Sequence, residues 1–508
     1  MAKLIESRRG TLVLAAAILG SGMALLDGTA VNVILPLVQR DLHAGAQFVQ
    51  WVVEGYALFA SALILVGGAL GDVYGRRAMF VTGTALFAAA SIGCAMAQTI
   101  EELVVARCVQ GVGAALLVPE SLALISAQFA PDARGKAIGS WAAFSAISGA
   151  IGPVLGGVIA QNFSWRWVFL LNVPIGALVI FISARYVRES RDESAGPHID
   201  FAGAALATAG LGGLVYALIR LQGAYDVPSL AIGIASLGVL AAFIFYESRA
   251  RSPMMPLRYF RSRDFTGANM YTFLLYAGLG GSLFFVPFDL INVQHYTPVE
   301  AGASMLPMTT IIFLFSRFSG GLQTRFGASA MLTGGALVAA LGFFLFAAAG
   351  QGKSYWISFF PASAVLGIGA ALFVAPLTAT VMNSLETAHA GVASGVNNAI
   401  ARAAGLVAVA ALGLVLSATF YRTYDARIGG APIRPQTRQA LAHDRSRLLT
   451  GYVPGNIAAA DRPVVRAIVD GSFVGGFSWA MGTSALLALA AAGIAKFSFR
   501  RTQGTRAT

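Results

Sequence analysis

Charged side chains are scarce in this chain. Asp, Glu, Lys and Arg make up 11% of its 508 residues, against about 25% in ordinary soluble domains. So few cannot cover the surface of a water-soluble globule, and a mean hydropathy of +0.71 excludes one on the same grounds. Cysteine is scarcer still. Cys94 and Cys108 both sit inside apolar stretches, which excludes a disulfide scaffold; core packing is the plain reading, and a bridge across a short hairpin is the alternative. The five histidines and two cysteines show no metal-ligand spacing. There is no Walker A pattern for nucleotide and no Gly-x-Ser-x-Gly elbow for acyl transfer. No catalytic residue, metal or bound cofactor is therefore expected. Nor is a cleavable signal peptide: the first apolar run follows Lys3, Arg8 and Arg9, lacks a clear small-residue cleavage site and is too long for a signal h-region.

What the chain has is apolar length. Segments long enough to cross a bilayer recur at 11–37, 48–71, 78–98, 102–129, 136–160, 166–187, 199–220, 228–247, 265–288, 299–319, 329–349, 354–382, 392–420 and 471–496. The fold class is thus an all-α integral membrane protein with fourteen transmembrane helices, and an even count puts both termini on one side. The net charge of +12 is carried mostly by short loops, which speaks for orientation and against nucleic acid as a partner. Arg76, Arg77, Arg134, Lys136, Arg185, Arg188, Arg191, Arg249, Arg251, Arg258, Arg261, Arg263, Lys496, Arg500 and Arg501 share one face, with Arg40, Arg166 and Lys353 opposite. The first face, with both termini, is expected to be cytoplasmic. The segment 421–470 fits poorly, being external in this scheme yet rich in arginine.

Two charged, proline-containing stretches, 188–198 and 247–264, bracket the seventh and eighth segments. The expected layout is a six-helix bundle over 1–190, an inserted pair with linkers over 191–264, and a second six-helix bundle over 265–508 with a long external loop at 421–470. A short echo relates the halves: Gly68-Ala69-Leu70-Gly71-Asp72-Val73-Tyr74-Gly75 after helix 2, and Gly320-Gly321-Leu322-Gln323-Thr324-Arg325-Phe326-Gly327 after helix 10. Repeated halves mark secondary transporters.

Ionisable residues inside apolar segments are expensive and point to function. Asp27 lies ~13 Å from the external end of helix 1, Glu54 ~9 Å into helix 2 and Arg107 ~8 Å into helix 4 from that side, at 1.5 Å per residue. Asp27 and Arg107 could form an ion pair that protonation breaks, a proton-coupling device; a permanent structural pair is the plain alternative. Glu120, Asp289, Asn397, Asn398 and Arg402 are candidates to line a substrate cavity, although Asp289 could be a solvated helix end. Asp72, Gly75, Arg76 and Arg77 form a loop that could latch a gate, with a plain turn carrying positive-inside arginines as the alternative. Gly149, Gly152, Pro153, Gly156 and Gly157 give helix 5 a bent, bare face suited to an interface that opens and closes, with static packing as the alternative.

These motifs resemble the major facilitator superfamily, in its fourteen-helix drug:proton antiporter branch of the EmrB/QacA type. The likeness covers almost the whole chain. It runs through Leu26 to Pro36, Gly68 to Arg77, Leu103 to Gly113, Ser148 to Gly157 (with Ser148 where the branch has its first glycine) and Trp165 to Pro174. The second-half loop departs from the signature, with Thr324 at its acidic position. The resemblance implies alternating access around a central cavity between helices 1–6 and 9–14, driven by the proton motive force without a cofactor. It implies a role for Arg107 in proton transfer, and export of small molecules from a bacterial cytoplasmic (inner) membrane. Expected partners are membrane lipid, protons and a drug-like or amphipathic substrate, with a periplasmic adaptor left open. Export of one metabolite, lipid or siderophore-like compound is the alternative within transport. A non-transporting sensor on the same fold is the alternative outside it.

Overall fold

The computed structural model describes residues 8–191, 199–223, 225–352, 354–386, 390–449, 451–455 and 457–499. Lys3, the linker stretch 192–198, Lys353, Arg500 and Arg501, all used above, lie outside the described residues. Among the described residues every regular element is a helix. Thirteen helices among the described residues are long and apolar enough to cross a membrane. A further pair, Ala46–Ala62 (α2) and Ile64–Tyr74 (α3), makes a fourteenth span bent by 46° at the break.

The chain forms two compact units. The first comprises Met1–Met254, Leu290–Ala303 and Pro435–Ile457. Its helices are α1 (Arg8–Asp41), α2, α3, α4 (Arg76–Met96), α5 (Ile100–Gln128), α6 (Pro131–Asn162), the broken pair α7 (Arg166–Leu170) and α8 (Asn172–Tyr186), then α9 (Phe201–Leu221) and α10 (Val227–Glu247). α9 and α10 pack on each other, and α9 packs on α2. The glycines set the closest approaches. A Cβ at Gly67 on α3 would stand 2.0 Å from the Ala115 carbonyl oxygen of α5. That carbonyl is the one Pro119, four residues on, cannot satisfy with an N–H, so α3 lies against a gap in the α5 ladder. The Gly67-xxx-Gly71 spacing is thus a helix–helix contact in this fold.

The second unit comprises Met255–Asp289, Ser304–Arg434 and Ala458–Thr508. Its long helices are α11 (Arg263–Phe288), α13 (Leu306–Phe326), α14 (Ala328–Ala347), α15 (Phe359–Asn383), α16 (Ala390–Gly429) and α19 (Arg462–Ser498). α11 continues into a π-helical turn at Asp289–Val293, and the short α12 (Pro298–Ala303) belongs to the first unit.

The expected loop at 421–470 is mostly helix. α16 runs on to Gly429, α17 (Pro435–His443) and α18 (Arg445–Leu448) follow, and α19 starts at Arg462. The reason is local: no glycine or proline stands between Gly413 and Gly429, and Phe420 stacks on Tyr424 one turn ahead at 5.8 Å. The arginines that misfit the charge rule have structural work here. Arg447 pairs with Asp444 at 3.1 Å and donates to the His43 carbonyl, and Arg466 pairs with Asp470 at 3.4 Å.

Candidate functional site

The first unit holds a closed polar network. A capping box at Thr99 and Glu102 fixes the start of α5, and from there Arg107 and Gln110, three residues apart, share one face. Asp27 on α1 and Arg107 are both 0% exposed. Arg107 Nη1 donates to Asp27 Oδ2 at 2.5 Å and to Gln110 Oε1 at 2.6 Å, and Nε donates to the Val52 carbonyl at 2.9 Å. Its guanidinium lies over the Tyr56 ring, 4.3 Å from the centroid. The other oxygen, Asp27 Oδ1, accepts from Asn172 Nδ2 at 2.8 Å and Gln110 Nε2 at 3.1 Å. The Ser91 hydroxyl accepts from the same two amides. Burial of two charges is tolerable only when they are paired and hydrogen-bonded, as here.

Gln110, Asn172, Ser91 and Tyr56 complete this network and were not among the sequence-derived site residues. Gln110 carried a signal, standing one turn from Arg107. Asn172 gains its place because Trp165 Nε1 and Arg166 Nη1 both donate to Asp41 Oδ2, at 2.8 and 2.7 Å, tying the α6–α7 turn to the end of α1.

Glu54 is separate. It is 1% exposed, and neither of its carboxyl oxygens has a hydrogen-bond partner among the described residues. On α2, Val52, Gly55 and Tyr56 face the network and α5. Trp51 meets Tyr216 of α9, Gln50 accepts from Gln222 at 2.9 Å, and Leu58 lies against Gly212. Glu54 falls on this second stripe by helical period. Similar depth does not make one site, because the two stripes point different ways.

Glu120, at 1% exposure, also has both carboxyl oxygens unpartnered among the described residues; it sits over Gly71, where a Cβ would come 2.2 Å from its carboxyl carbon. The adjoining loop is ordered by charge. Arg76 donates to Asp72 Oδ1 from Nε and Nη2, at 3.0 and 2.7 Å. The Arg77 and Ala78 amides donate to the Glu189 carboxylate at 2.9 and 3.1 Å, so Glu189 caps α4. Gly75 has φ +118°, and a Cβ there would meet that carboxylate. Gly327, its echo partner, also has positive φ, at +83°.

Gly152 and Gly156 face α1, where a Cβ would lie 2.0 Å from Thr29 Oγ1 and 2.8 Å from the Ala30 carbonyl. Gly157 meets the Pro298 carbonyl of α12, and Gly302 of α12 meets the Pro153 carbonyl. Gly149 has open space around it.

In the second unit Asp289 is buried at the start of the π turn, not a solvated helix end. Asn397 donates to Asn269 Oδ1 and Thr272 Oγ1, at 3.0 and 2.7 Å, pinning α16 to α11. Asn398 bonds back to the Ser394 carbonyl of its own helix. Arg402 is half-buried and pairs with no carboxylate among the described residues. Between α13 and α15 an apolar cavity of about 270 Å³ is lined by Ile311, Phe315, Phe318, Leu322, Ile368 and Leu372.

Comparison with known proteins gives a consistent picture. The family model described as Major Facilitator Superfamily matches residues 17–410. The chain is similar to the tetracenomycin C resistance and export protein of Streptomyces glaucescens, 31% identical over 97% of this chain and 92% of that one. It is similar to the multidrug resistance protein Stp of Mycobacterium tuberculosis, 34% identical over 86% and 81%. Among solved structures it is similar to a bacterial homolog of the human lysosomal transporter Spinster. The TM-score there is 0.67, with 15% identity over 97% of each chain.

Proposed function

The chain belongs to the major facilitator superfamily, and on that premise we propose that it is a secondary transporter, not an enzyme, exporting drug-like or amphipathic small molecules in exchange for protons. The relatives named for drug resistance and export support the cargo class. So does the phenylalanine-lined cavity of the second unit, whose apolar walls suit the body of such a molecule. Arg402, half-buried and paired with no carboxylate among the described residues, offers a cation to an acidic group on a substrate. Positive-inside bias supports a bacterial inner-membrane orientation with both termini cytoplasmic.

The observation that carries the proton part is the Asp27–Arg107 contact inside the closed network. A guanidinium has donors only. A proton on Asp27 Oδ2 would turn that acceptor toward Arg107 as an O–H and remove the charge that holds it. Arg107 keeps the Val52 carbonyl, Gln110 Oε1 and the Tyr56 ring as partners. The network therefore has a second arrangement with little rebuilding, and α1 and α5 gain freedom relative to one another. Glu54 is a separate proton-binding candidate on the α9-facing stripe of α2.

The test is a pH jump across proteoliposomes loaded with a fluorescent amphipathic substrate. Wild type is expected to move dye with the imposed gradient, and Asp27→Asn to insert normally and not respond. Dye movement in Asp27→Asn equal to wild type would remove Asp27 from the mechanism. A compound-specific exporter is the second reading, favoured by the relative named for tetracenomycin C alone; extrusion of one compound from a broad panel would select it.

A further inference from the structure

Asp470 is a buried carboxyl in the second unit, with no part in the Asp27 network. It stands eight residues after Arg462 on α19, ~12 Å along the axis, at the end opposite Lys496. It is 2% exposed, and its Oδ1 has no hydrogen-bond partner among the described residues. Both of its contacts fall on Oδ2. Arg466, one turn earlier, approaches through Nε at 3.4 Å, and Gln351 donates from Nε2 at 3.4 Å.

The backbone delivers Gln351 to this place. It is the centre of a Gly-Gln-Gly turn between α14 and α15, where Gly350 and Gly352 take φ of +69° and +70°, a conformation open to glycine and costly to most residues. Two turns along α19 from Asp470, Ser478 Oγ donates to the Ala347 carbonyl at 2.6 Å and fixes the end of α14. Gly471 leaves room for Arg427 of α16, whose Nη1 would stand 2.7 Å from a Cβ there. The helices packed on α19 are α11, α14 and α16. At this end they bring Asp289 from α11, Tyr355 from the α14 side, and Tyr421, Arg422, Tyr424, Asp425 and Arg427 from α16, while α19 itself adds Arg462 and Arg466. Arg466 is the charged group acting on Asp470. Lys353, two residues after Gln351, lies outside the described residues.

A buried carboxylate is held in place by pairing and hydrogen bonds. Here one oxygen is bare, and the other keeps two neighbours at distances beyond the usual N–H···O range, where the charge matters more than the bond geometry. We propose that Asp470 is a proton-binding site of the second unit, and that its charge holds the 350–352 turn on α19. A proton adds to Oδ1, an O–H forms and the single negative charge is lost. Arg466 then has no counter-charge and Gln351 no charged acceptor, so both contacts weaken and the turn is released. The hold belongs to the ionised form, so it is present at higher pH and lost as pH falls. The positive-inside reading puts this end outside, where the protons of an exchange would enter. That placement rests on the proposed function; the clasp does not.

The experiment is hydrogen–deuterium exchange of the purified full chain in lipid nanodiscs between pH 5 and pH 8, with each rate corrected for the pH dependence of free amides. The samples are wild type, Asp470→Asn, Gln351→Ala and Asp27→Asn, and the readout is the peptide containing Gln351. In wild type its protection should fall severalfold from pH 8 to pH 5. Asp27→Asn should follow wild type, because that carboxyl belongs to the first unit. Asp470→Asn and Gln351→Ala should both show the low protection at every pH. Protection that is flat with pH in wild type, or an Asp470→Asn profile that superimposes on wild type, would overturn the inference. If Asp470→Asn does not fold, the exposed Gln351 decides: a pH dependence in Gln351→Ala as large as in wild type overturns it instead. Exchange is read without any solute gradient, so absence of proton-driven dye movement in wild type would sink the transport reading and leave the clasp standing.

Discussion

Asn172 donates to the same oxygen of Asp27 that Gln110 holds, at 2.8 and 3.1 Å, and leaves the opposite oxygen to Arg107. The amide residues therefore fix how the carboxylate is presented, and the arginine alone faces the oxygen whose protonation would change the pairing. A hydrogen bond to a charged group contributes about 1.5–3 kcal/mol. Asn172→Ala is expected to slow gradient-driven dye export roughly tenfold or more without abolishing it, because the ion pair remains. Initial rates in proteoliposomes, set beside Asp27→Asn, check this; a rate equal to wild type would mean that the presentation of the carboxylate does not matter.

Arg107→Lys is expected to behave as a severe change. One ammonium cannot reach the Val52 carbonyl, Asp27 Oδ2 and Gln110 Oε1 while lying over Tyr56, as the planar fork does. Arg107→Ala goes further and strands a buried carboxylate, a loss of about 3–5 kcal/mol. Thermal unfolding in detergent should rank wild type above Arg107→Lys, and that above Arg107→Ala. The double variant Asp27→Asn, Arg107→Ala should recover part of the loss.

The Glu189 contact gives a third expectation. Its carboxylate satisfies two free amides at the start of α4, and capping contacts of this kind contribute about 0.5–2 kcal/mol. Glu189→Ala should lower the melting temperature modestly and speed hydrogen exchange at Arg77 and Ala78. Exchange unchanged there would show that the cap is not held in solution. Gly75→Ala should be worse, since it combines a φ of +118° with a Cβ driven into the same carboxylate.

How much of this was legible in the sequence depends on the kind of signal. Fourteen apolar segments read cleanly because their length is set by the bilayer, and Asp27 with Arg107 stood out because charge in such segments is rare. The break at Leu63 and the helical course of 421–470 were not legible. The first depends on how closely α3 approaches α5, and the second on helix continuing past the apolar window. Glu54 was grouped with Asp27 because depth along a helix is readable from residue count, whereas the direction a stripe faces depends on which neighbour packs there. Asn172 lies 145 positions from Asp27, and no spacing rule connects them.

The glycines of α6 separate what the motif lumps together. Gly149 has nothing within 4 Å of a built Cβ, whereas Gly156 would place one 2.8 Å from the Ala30 carbonyl and Gly157 one 2.4 Å from the Pro298 carbonyl. Backbone atoms cannot rotate away as a side chain can, so an added methyl must push α1 or α12 aside, at about 1–3 kcal/mol. At Gly149 the same methyl only removes glycine's conformational freedom, a gain of roughly 0.5–1 kcal/mol in a helix. Gly149→Ala is thus expected to raise the melting temperature slightly and keep dye export, and Gly156→Ala and Gly157→Ala to lower both. Equal behaviour of all three would mean that the motif works as a uniform smooth face and not through these two contacts. A further comparison isolates the α12 contact: Gly302→Ala strikes the Pro153 carbonyl from the other side. It should therefore reproduce Gly157→Ala, and combining the two should cost less than the sum of the single losses, since each already forces the same surfaces apart.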